Sequence, residues 1–207
     1  MSQSASQQIL ARIYGKGRGH AFTPKDFHDL TGHETVRQVL SRLAAAGTIR
    51  RLRRGVYDYP EHSALLKAPA SPDPDAMARA IARAHGWTIV PEGQTALNLL
   101  GLSTQVPAHW QYFSDGPSRE TPWSGGVLVF RHRANKETAR LSPRTALLVQ
   151  ALKALGEEHV DVAVVSRLRS EFSPAELARA LREARYVTAW VYEIIRGLAF
   201  AKGAAHA

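Results

Sequence analysis

The feature that most constrains this chain is a run of helix, turn and hairpin signals over residues 22–60. Thr23 stands before Pro24, and a threonine N-cap followed by proline at the first helical position predicts a short helix over residues 24–30. Gly32 then predicts a tight turn, because glycine adopts the backbone angles that such turns need.

A second, longer helix is predicted over residues 34–46. Its apolar residues fall at positions i, i+3, i+4 and i+7, in one stripe that faces a core: Val36, Val39, Leu40 and Leu43. The opposite face is polar and carries Glu34, Thr35, Arg37, Gln38, Ser41 and Arg42. Gly47 follows where a helix commonly ends with a left-handed residue.

Residues 48–59 predict two short strands bent near Arg54 and Gly55. Four arginines crowd five successive positions of this hairpin: Arg50, Arg51, Arg53 and Arg54. They cannot all be buried without partners, so some face solvent, where phosphate is the obvious polyanion to meet them. The order of short helix, turn, longer helix and basic hairpin is that of a winged helix-turn-helix, and it predicts DNA binding.

The distribution of charge supports this interpretation. The net charge is +9 and the isoelectric point is near 10.2, which indicates an anionic partner but says nothing about the fold. Residues 1–60 hold ten lysines and arginines against four aspartates and glutamates, so +6 of the +9 lies in under a third of the chain. Such a concentration favours a nucleic-acid module at the N-terminus.

Composition excludes several other classes. The chain has no cysteine, which removes disulfides, zinc-finger chemistry and thiol catalysis and fits a reducing cytoplasm. The first residues lack the basic and apolar regions of a signal peptide, and no apolar run approaches the roughly 20 residues that span a bilayer. We therefore expect a soluble, cytoplasmic protein without a membrane partner.

We predict an α+β chain of three parts: an N-terminal winged helix-turn-helix DNA-binding domain over residues 1–62, a proline-rich linker over residues 63–75, and a mixed α/β domain ending in helices over residues 76–207. The linker is inferred from its prolines and its few apolar residues. Beyond it, Ser-Pro pairs at Ser142 and Ser173 each predict the start of a helix, and Glu176 completes a capping box with Ser173.

Three segments also carry a resemblance: Gly-Thr-Ile-Arg-Arg-Leu-Arg-Arg-Gly-Val-Tyr at residues 47–57, Asn-Leu-Leu-Gly-Leu-Ser-Thr-Gln-Val-Pro at residues 98–107, and Tyr-Phe-Ser-Asp-Gly at residues 112–116. With these segments the chain resembles the AbiEi-like antitoxins and transcriptional regulators of type IV abortive-infection toxin–antitoxin systems, in their related domain-of-unknown-function branch. The resemblance implies repression of the chain's own operon by the N-terminal domain. It also implies that the C-terminal domain counters a nucleotidyltransferase-like toxin, with or without direct contact.

For DNA contact, the second helix of a helix-turn-helix enters the major groove, so its polar residues are the candidates for base or phosphate contact: Thr35, Arg37, Gln38, Ser41 and Arg42. Lys25 and the hairpin arginines Arg50, Arg51, Arg53 and Arg54 are expected to meet phosphates or a minor groove. The partner would be double-stranded promoter DNA with inverted repeats. The alternative for Arg37 and Arg42 is an ordinary solvated helix face.

No catalytic or metal constellation is expected. Asp73 and Asp75 mimic the paired carboxylates of a metal-dependent nucleotidyltransferase, but they fall in the predicted linker, where no strand holds them. The nine histidines lack metal-ligand spacing. We therefore predict neither an enzyme nor a cofactor. A ligand-responsive or dimeric winged-helix regulator without a toxin partner remains an alternative.

Overall fold

The computed structural model describes residues 4–65, 67–133 and 141–200, and it confirms the α+β class predicted from the sequence. Residues 134–140 and 201–207 of the predicted second domain lie outside the described residues. None of the described helices combines the length and apolar character needed to cross a bilayer. The chain divides into two compact units, a first unit of Met1–Thr88 with Thr121–Leu128 and a second unit of Ile89–Glu120 with Val129–Ala207.

The first unit opens with helices and a small antiparallel sheet. Its elements are α1 (Ala5–Lys16), β1 (Ala21–Phe22), a 3-10 helix (Pro24–Phe27), α2 (His33–Ala45), β2 (Arg50–Arg53), β3 (Val56–Asp58), β4 (His62–Ser63), β5 (Ala68–Pro69) and α3 (Pro74–His85). The strand order is β1-β3-β2, so β3 lies in the middle of the sheet. On β3, Tyr57 faces Phe22 of β1 on one side and Arg51 of β2 on the other.

The core of the first unit confirms the apolar stripe predicted for α2. Val36, Val39 and Leu40 are buried there, and Leu43 packs partly buried against them. They meet the buried residues Ile9, Ile13, Phe22, Phe27, Ile49 and Tyr57. Phe22 packs edge-on against Phe27 at 5.5 Å between ring centroids and stacks on Tyr57 at 6.3 Å. The buried stripe leaves the opposite face of α2 to solvent.

The helix predicted over residues 24–30 is wrong in length, because the structure has a single 3-10 helix that ends at Phe27. Asp26 explains the compact turn: its carboxylate accepts from the backbone N–H of Thr23 at 2.7 Å, as in a capping box. The same carboxylate receives Nε of Arg83 at 3.2 Å, so a residue distant in sequence holds this turn as well.

The segment predicted as a linker, residues 63–75, contains the β4–β5 pair and the start of α3. Asp73 caps α3 by accepting from the N–H of Asp75 at 2.8 Å, which gives this carboxylate a structural role. Because α3 packs against β1 and β3, it belongs to the first unit, and the chain divides after Thr88 instead of near residue 75.

Residues 89–200 contain the remaining elements. They are β6 (Ile89–Pro91), α4 (Gly93–Leu99), β7 (His109–Ser114), β8 (Arg119–Trp123), β9 (Gly126–His132), α5 (Pro143–Leu155), a 3-10 helix (Glu157–His159), α6 (Val162–Glu171), α7 (Pro174–Glu183), a 3-10 helix (Ala184–Tyr186) and α8 (Ala189–Phe200). The four strands form a sheet in the order β6-β7-β9-β8. Strand β8 was missed from the sequence because proline and charged residues interrupt its alternation.

The helices of the second unit form its core, to which α5 contributes the buried residues Leu147, Leu148, Val149, Ala151 and Leu152. Glu183, on α7, ties the start of α5 to this core. Its carboxylate accepts from the N–H of Ser142 at 2.8 Å and from Nε of Arg179 at 2.6 Å. Burial of the carboxyl acts against its ionisation, but hydrogen bonds from Arg179, Thr145 and Ser142 outweigh it and lower the pKa of Glu183 to about 2.

We expect Glu183→Gln to lower the free energy of unfolding at pH 7 by about 1–3 kcal/mol, because it removes charge-assisted hydrogen bonds to Ser142 and Arg179. The folded-state pKa lies below the ordinary value of 4.5, so this stabilisation is present above pH 4.5 and is lost as the pH falls toward 2. Urea unfolding at several pH values measures it. Glu193→Gln, which breaks an exposed pair with Arg196, is the control and changes stability by less than about 1 kcal/mol. Equal losses for the two variants contradict the prediction.

Candidate nucleic-acid interface

A groove of about 520 Å³ lies between the polar face of α2 and the β2–β3 hairpin; we call it the α2–hairpin groove. Its lining consists of Pro24, His33, Glu34, Arg37, Gln38, Ser41, Arg51, Arg54, Gly55 and Tyr57. Five of the ten residues predicted to contact DNA are among them: Arg37, Gln38, Ser41, Arg51 and Arg54. The fold thus brings half of the predicted site together on one concave surface.

The α2 side of the groove is exposed because the helix buries the opposite stripe. Nη1 of Arg37 donates to Oε1 of Glu34 at 3.0 Å, an exposed pair one turn apart that leaves further guanidinium donors available. Gln38 and Ser41 are exposed beside it. Thr35 and Arg42 are exposed on the same helix but do not line the groove, and Nε of Arg42 lies 3.4 Å from the carbonyl oxygen of Gln38.

The hairpin side is shaped by an irregularity in β2. The register between β2 and β3 shifts between Arg51 and Arg53, and Gly55 makes the turn with a φ of +78°. Arg51 and Arg54 line the groove, and the guanidinium of Arg51 lies 6.0 Å from the ring centroid of Tyr57. Arg53 is half-buried and does not line it.

Arg50 has its partners inside the fold. Its Nε and Nη2 donate to the two carboxylate oxygens of Asp58 at 3.1 and 2.5 Å, and Nη1 donates to the carbonyl oxygen of Ala70 at 2.8 Å. The Asp58 side chain is only 3% exposed, against 29% for Arg50. A buried carboxylate requires such a partner, so Arg50 neutralises Asp58 rather than facing the groove.

Lys25 is also engaged within the first unit. Its Nζ donates to the carbonyl oxygen of Ala84 at 2.6 Å, in the last turn of α3. Cations are favoured there because the last helical carbonyls lack partners and carry partial negative charge. Lys25 does not line the α2–hairpin groove, although its neighbour Pro24 does.

The electrostatics of the groove suit an anionic partner that presents many acceptors. Its lining contains three arginines and one glutamate, a formal charge of +2 when histidine is not counted. In residues 4–65, 67–133 and 141–200, no three His, Cys, Asp or Glu side chains are grouped as a metal site would need. The groove therefore presents hydrogen-bond donors to a ligand, namely guanidinium, amide and hydroxyl groups.

Comparison with known proteins gives a family. A family model described as a family of unknown function, DUF6088, matches residues 8–173. The chain belongs to this family. No curated protein matches the DUF6088 chain. Among solved structures it is similar to the RV2827C protein from Mycobacterium tuberculosis, with 16% identity over 96% of this chain and 82% of that chain, at a TM-score of 0.43.

Five groove-lining residues of the DUF6088 chain were not predicted as site residues: Pro24, His33, Glu34, Gly55 and Tyr57. Tyr57 is buried in the core of the first unit and also forms part of the lining. His33 precedes the predicted start of the helix by one residue, and its Nδ1 lies 3.6 Å from Oε1 of Glu34. The sequence feature that could have identified His33 as a site residue was its position in the first turn of α2.

In the DUF6088 chain, Arg50→Ala and Arg54→Ala remove the same charge from one hairpin and should have different effects. We expect Arg50→Ala to destabilise the protein by about 3 kcal/mol, because it leaves the buried Asp58 carboxylate without its partner. Arg54→Ala should change stability by less than about 0.5 kcal/mol, since the side chain is exposed. Urea unfolding of both variants measures the difference. A stable Arg50→Ala protein would remove the structural role assigned to Arg50.

Proposed function

We propose that the first unit is a winged helix-turn-helix that binds double-stranded DNA. The observation that carries the proposal is the α2–hairpin groove, in which the polar face of a helix and two hairpin arginines line one concave surface. The 3-10 helix that precedes α2, and the β2–β3 hairpin that follows α2 and pairs with β1, support the same interpretation. In this arrangement α2 enters the major groove and the β2–β3 hairpin lies beside it along the backbone.

The proposal divides the predicted DNA contacts into three groups. Arg37, Gln38 and Ser41 meet base edges, where arginine bridges O6 and N7 of guanine and glutamine bridges N6 and N7 of adenine. Arg51 and Arg54 meet phosphates. Thr35 and Arg42, exposed beside the groove, supply contacts at its margin.

Lys25 and Arg50 take no direct part in this scheme, because Lys25 donates to Ala84 and Arg50 donates to Asp58 and Ala70. They position the 3-10 helix and the hairpin that present the groove. Arg53, half-buried, stays a predicted contact without a defined role.

The biological context of DNA binding is proposed from the resemblance to AbiEi-like antitoxins. In that context the chain represses its own operon through the first unit and counters a nucleotidyltransferase-like toxin through the C-terminal domain. It is then a cytoplasmic regulator with no catalytic activity and no cofactor of its own. The alternative is a ligand-responsive or dimeric regulator without a toxin, and a toxin gene beside this one would favour the first.

We expect the full chain to bind DNA from upstream of its own gene more tightly than scrambled DNA, with both affinities falling as salt rises. Arg51→Ala/Arg54→Ala should lower the affinities for the upstream and the scrambled DNA about tenfold. It should also reduce the slope of log affinity against log salt by about 2, the effect of two lost phosphate contacts. Gln38→Ala should reduce mainly the preference for the upstream DNA, by about 5- to 100-fold. Fluorescence anisotropy at two salt concentrations measures each value.

The matched control is Arg182→Ala/Arg185→Ala, which removes two exposed arginines from the second unit and leaves the groove intact. It should bind DNA like the parent chain. If the control weakens binding as much as the groove variant, net charge accounts for the binding and the α2–hairpin groove is not the site. If no protein binds either DNA, DNA binding by this chain is refuted.

The same groove variant separates repression from toxin neutralisation. We expect Arg51→Ala/Arg54→Ala to lose repression of a reporter placed behind the upstream DNA, yet still to protect cells that express the adjacent toxin gene, because neutralisation is assigned to the C-terminal domain. Colony counts with and without toxin induction measure protection, and immunoblotting confirms equal protein levels. A parent chain that gives no protection refutes the antitoxin role and leaves a regulator.

A further inference from the structure

A second cavity, of about 440 Å³, lies within the first unit between α1, the 3-10 helix and α3; we call it the α1–α3 cavity. Its volume falls in the range of small-molecule sites. Its lining combines apolar and charged side chains: Arg12, Ile13, Lys16, His20, Phe22, Asp26, Phe27 and Arg83. None of these residues lines the α2–hairpin groove.

Two of the lining arginines are held in fixed positions by other parts of the first unit. Nη1 and Nη2 of Arg12 donate to the two carboxylate oxygens of Asp29 at 2.6 and 2.7 Å, and Nη1 also donates to the carbonyl oxygen of Asp26 at 2.9 Å. Arg83 donates through Nε to Asp26 at 3.2 Å and through Nη2 to the carbonyl oxygen of Ala21 at 2.9 Å. Guanidinium groups fixed in this way lose little freedom when a ligand arrives.

The remaining cation of the cavity is Lys16, in the last turn of α1. Its side chain is exposed, and its ammonium has no hydrogen bond or ion pair with any described residue. Nη1 of Arg83 likewise has no acceptor in the described part of the chain. The cavity therefore holds donors that the fold itself does not use, with one carboxylate, Asp26, already bound to Arg83.

His20 also lines the cavity and is half-buried. Burial, and then the positive charges of Arg83 and Lys16, lower the pKa of His20, while Asp26 acts in the opposite direction. An anion placed among these residues would offset the two positive charges and raise the pKa. Ile13, Phe22 and Phe27 also line the cavity, but the core covers most of their surface, so only their edges are open to a ligand. The cavity therefore suits a ligand with an anionic part and a small apolar part.

We propose that the α1–α3 cavity binds a small organic anion, a carboxylate or phosphate monoester attached to an apolar group about the size of one ring. Lys16 and Arg83 bind the anionic group, His20 donates a hydrogen bond to it, and Phe22, Phe27 and Ile13 contact the ring. The proposal concerns binding only and involves no covalent step. It does not depend on the DNA-binding function, because the binding is measured without DNA.

An effect of the ligand on DNA affinity would rest on the proposed DNA-binding function. The 3-10 helix contributes Asp26 and Phe27 to the α1–α3 cavity, while Pro24 of the same helix lines the α2–hairpin groove. A ligand that shifts this helix changes the groove, and the coupling is reciprocal because both equilibria share one protein state.

Isothermal titration calorimetry of the full chain with phenyl phosphate and benzoate, against uncharged benzyl alcohol and inorganic phosphate, tests the proposal. We expect both organic anions to bind one site per chain at least tenfold more tightly than benzyl alcohol or inorganic phosphate. Lys16→Gln should lower the affinity for phenyl phosphate at least fivefold. Lys67→Gln is the same change at another exposed lysine of the first unit and should leave that affinity unchanged. No binding, or equal binding by Lys16→Gln and the parent, overturns the proposal.

A second measurement follows the imidazole itself. The pKa of His20, from the NMR shift of its ring, should rise when phenyl phosphate is bound, so affinity should increase as the pH falls through the bound-state pKa. With benzoate, whose carboxylate stays ionised over this range, His20→Gln should remove the pH dependence of the affinity. An unchanged pKa overturns the assigned contact. A competition experiment asks whether random duplex DNA displaces phenyl phosphate, and whether Lys16→Gln lowers the affinity for that DNA as well. If both results are observed, the cavity binds a DNA phosphate and the small-ligand proposal is refuted.

Discussion

The ion pair between Arg50 and Asp58 is the interaction on which the α2–hairpin groove depends. Asp58 lies on the central strand β3, where its register partner on β2 is Arg50 and its register partner on β1 is Ala21. A slip of one residue would move the buried carboxylate away from its guanidinium, which makes alternative registers costly. The bond from Arg50 to the carbonyl oxygen of Ala70 extends this anchor to the segment before α3. With the hairpin fixed, Arg51 and Arg54 line the groove opposite α2.

Pairing also decides how much of the positive charge in the first 60 residues is available. The four acidic residues there each bind an arginine: Asp26 with Arg83, Asp29 with Arg12, Glu34 with Arg37, and Asp58 with Arg50. Only the Asp58 pair has a nearly fully buried carboxylate. A count of charges along the sequence therefore overstates the interface, because it gives Arg50 and an exposed arginine equal weight. The groove keeps a formal charge of +2, a smaller excess than the segment as a whole.

Local signals predicted the helices and missed the long-range pairings. The stripe of Val36, Val39 and Leu40 determined the buried face of α2, and the capping box of Ser173 and Glu176 begins α7 as predicted. Such features involve residues three or four positions apart, so the sequence displays them directly. Lys25 and its acceptor Ala84 are 59 residues apart, and Arg50 and Ala70 are 20 apart. No periodicity reveals these partners, so the sequence shows both side chains only as cations.

Asp26 connects the two concave surfaces of the first unit. Its carboxylate shapes the 3-10 helix through the N–H of Thr23 and holds α3 through Arg83. An anion in the α1–α3 cavity would repel Asp26, because two negative groups would then share the guanidinium of Arg83. The bond between α3 and the 3-10 helix would weaken, and Pro24 at the edge of the α2–hairpin groove lies on the element that is released. On this physical ground, we infer that the coupling is negative. The bound anion lowers the affinity for DNA, and bound DNA lowers the affinity for the anion by the same factor.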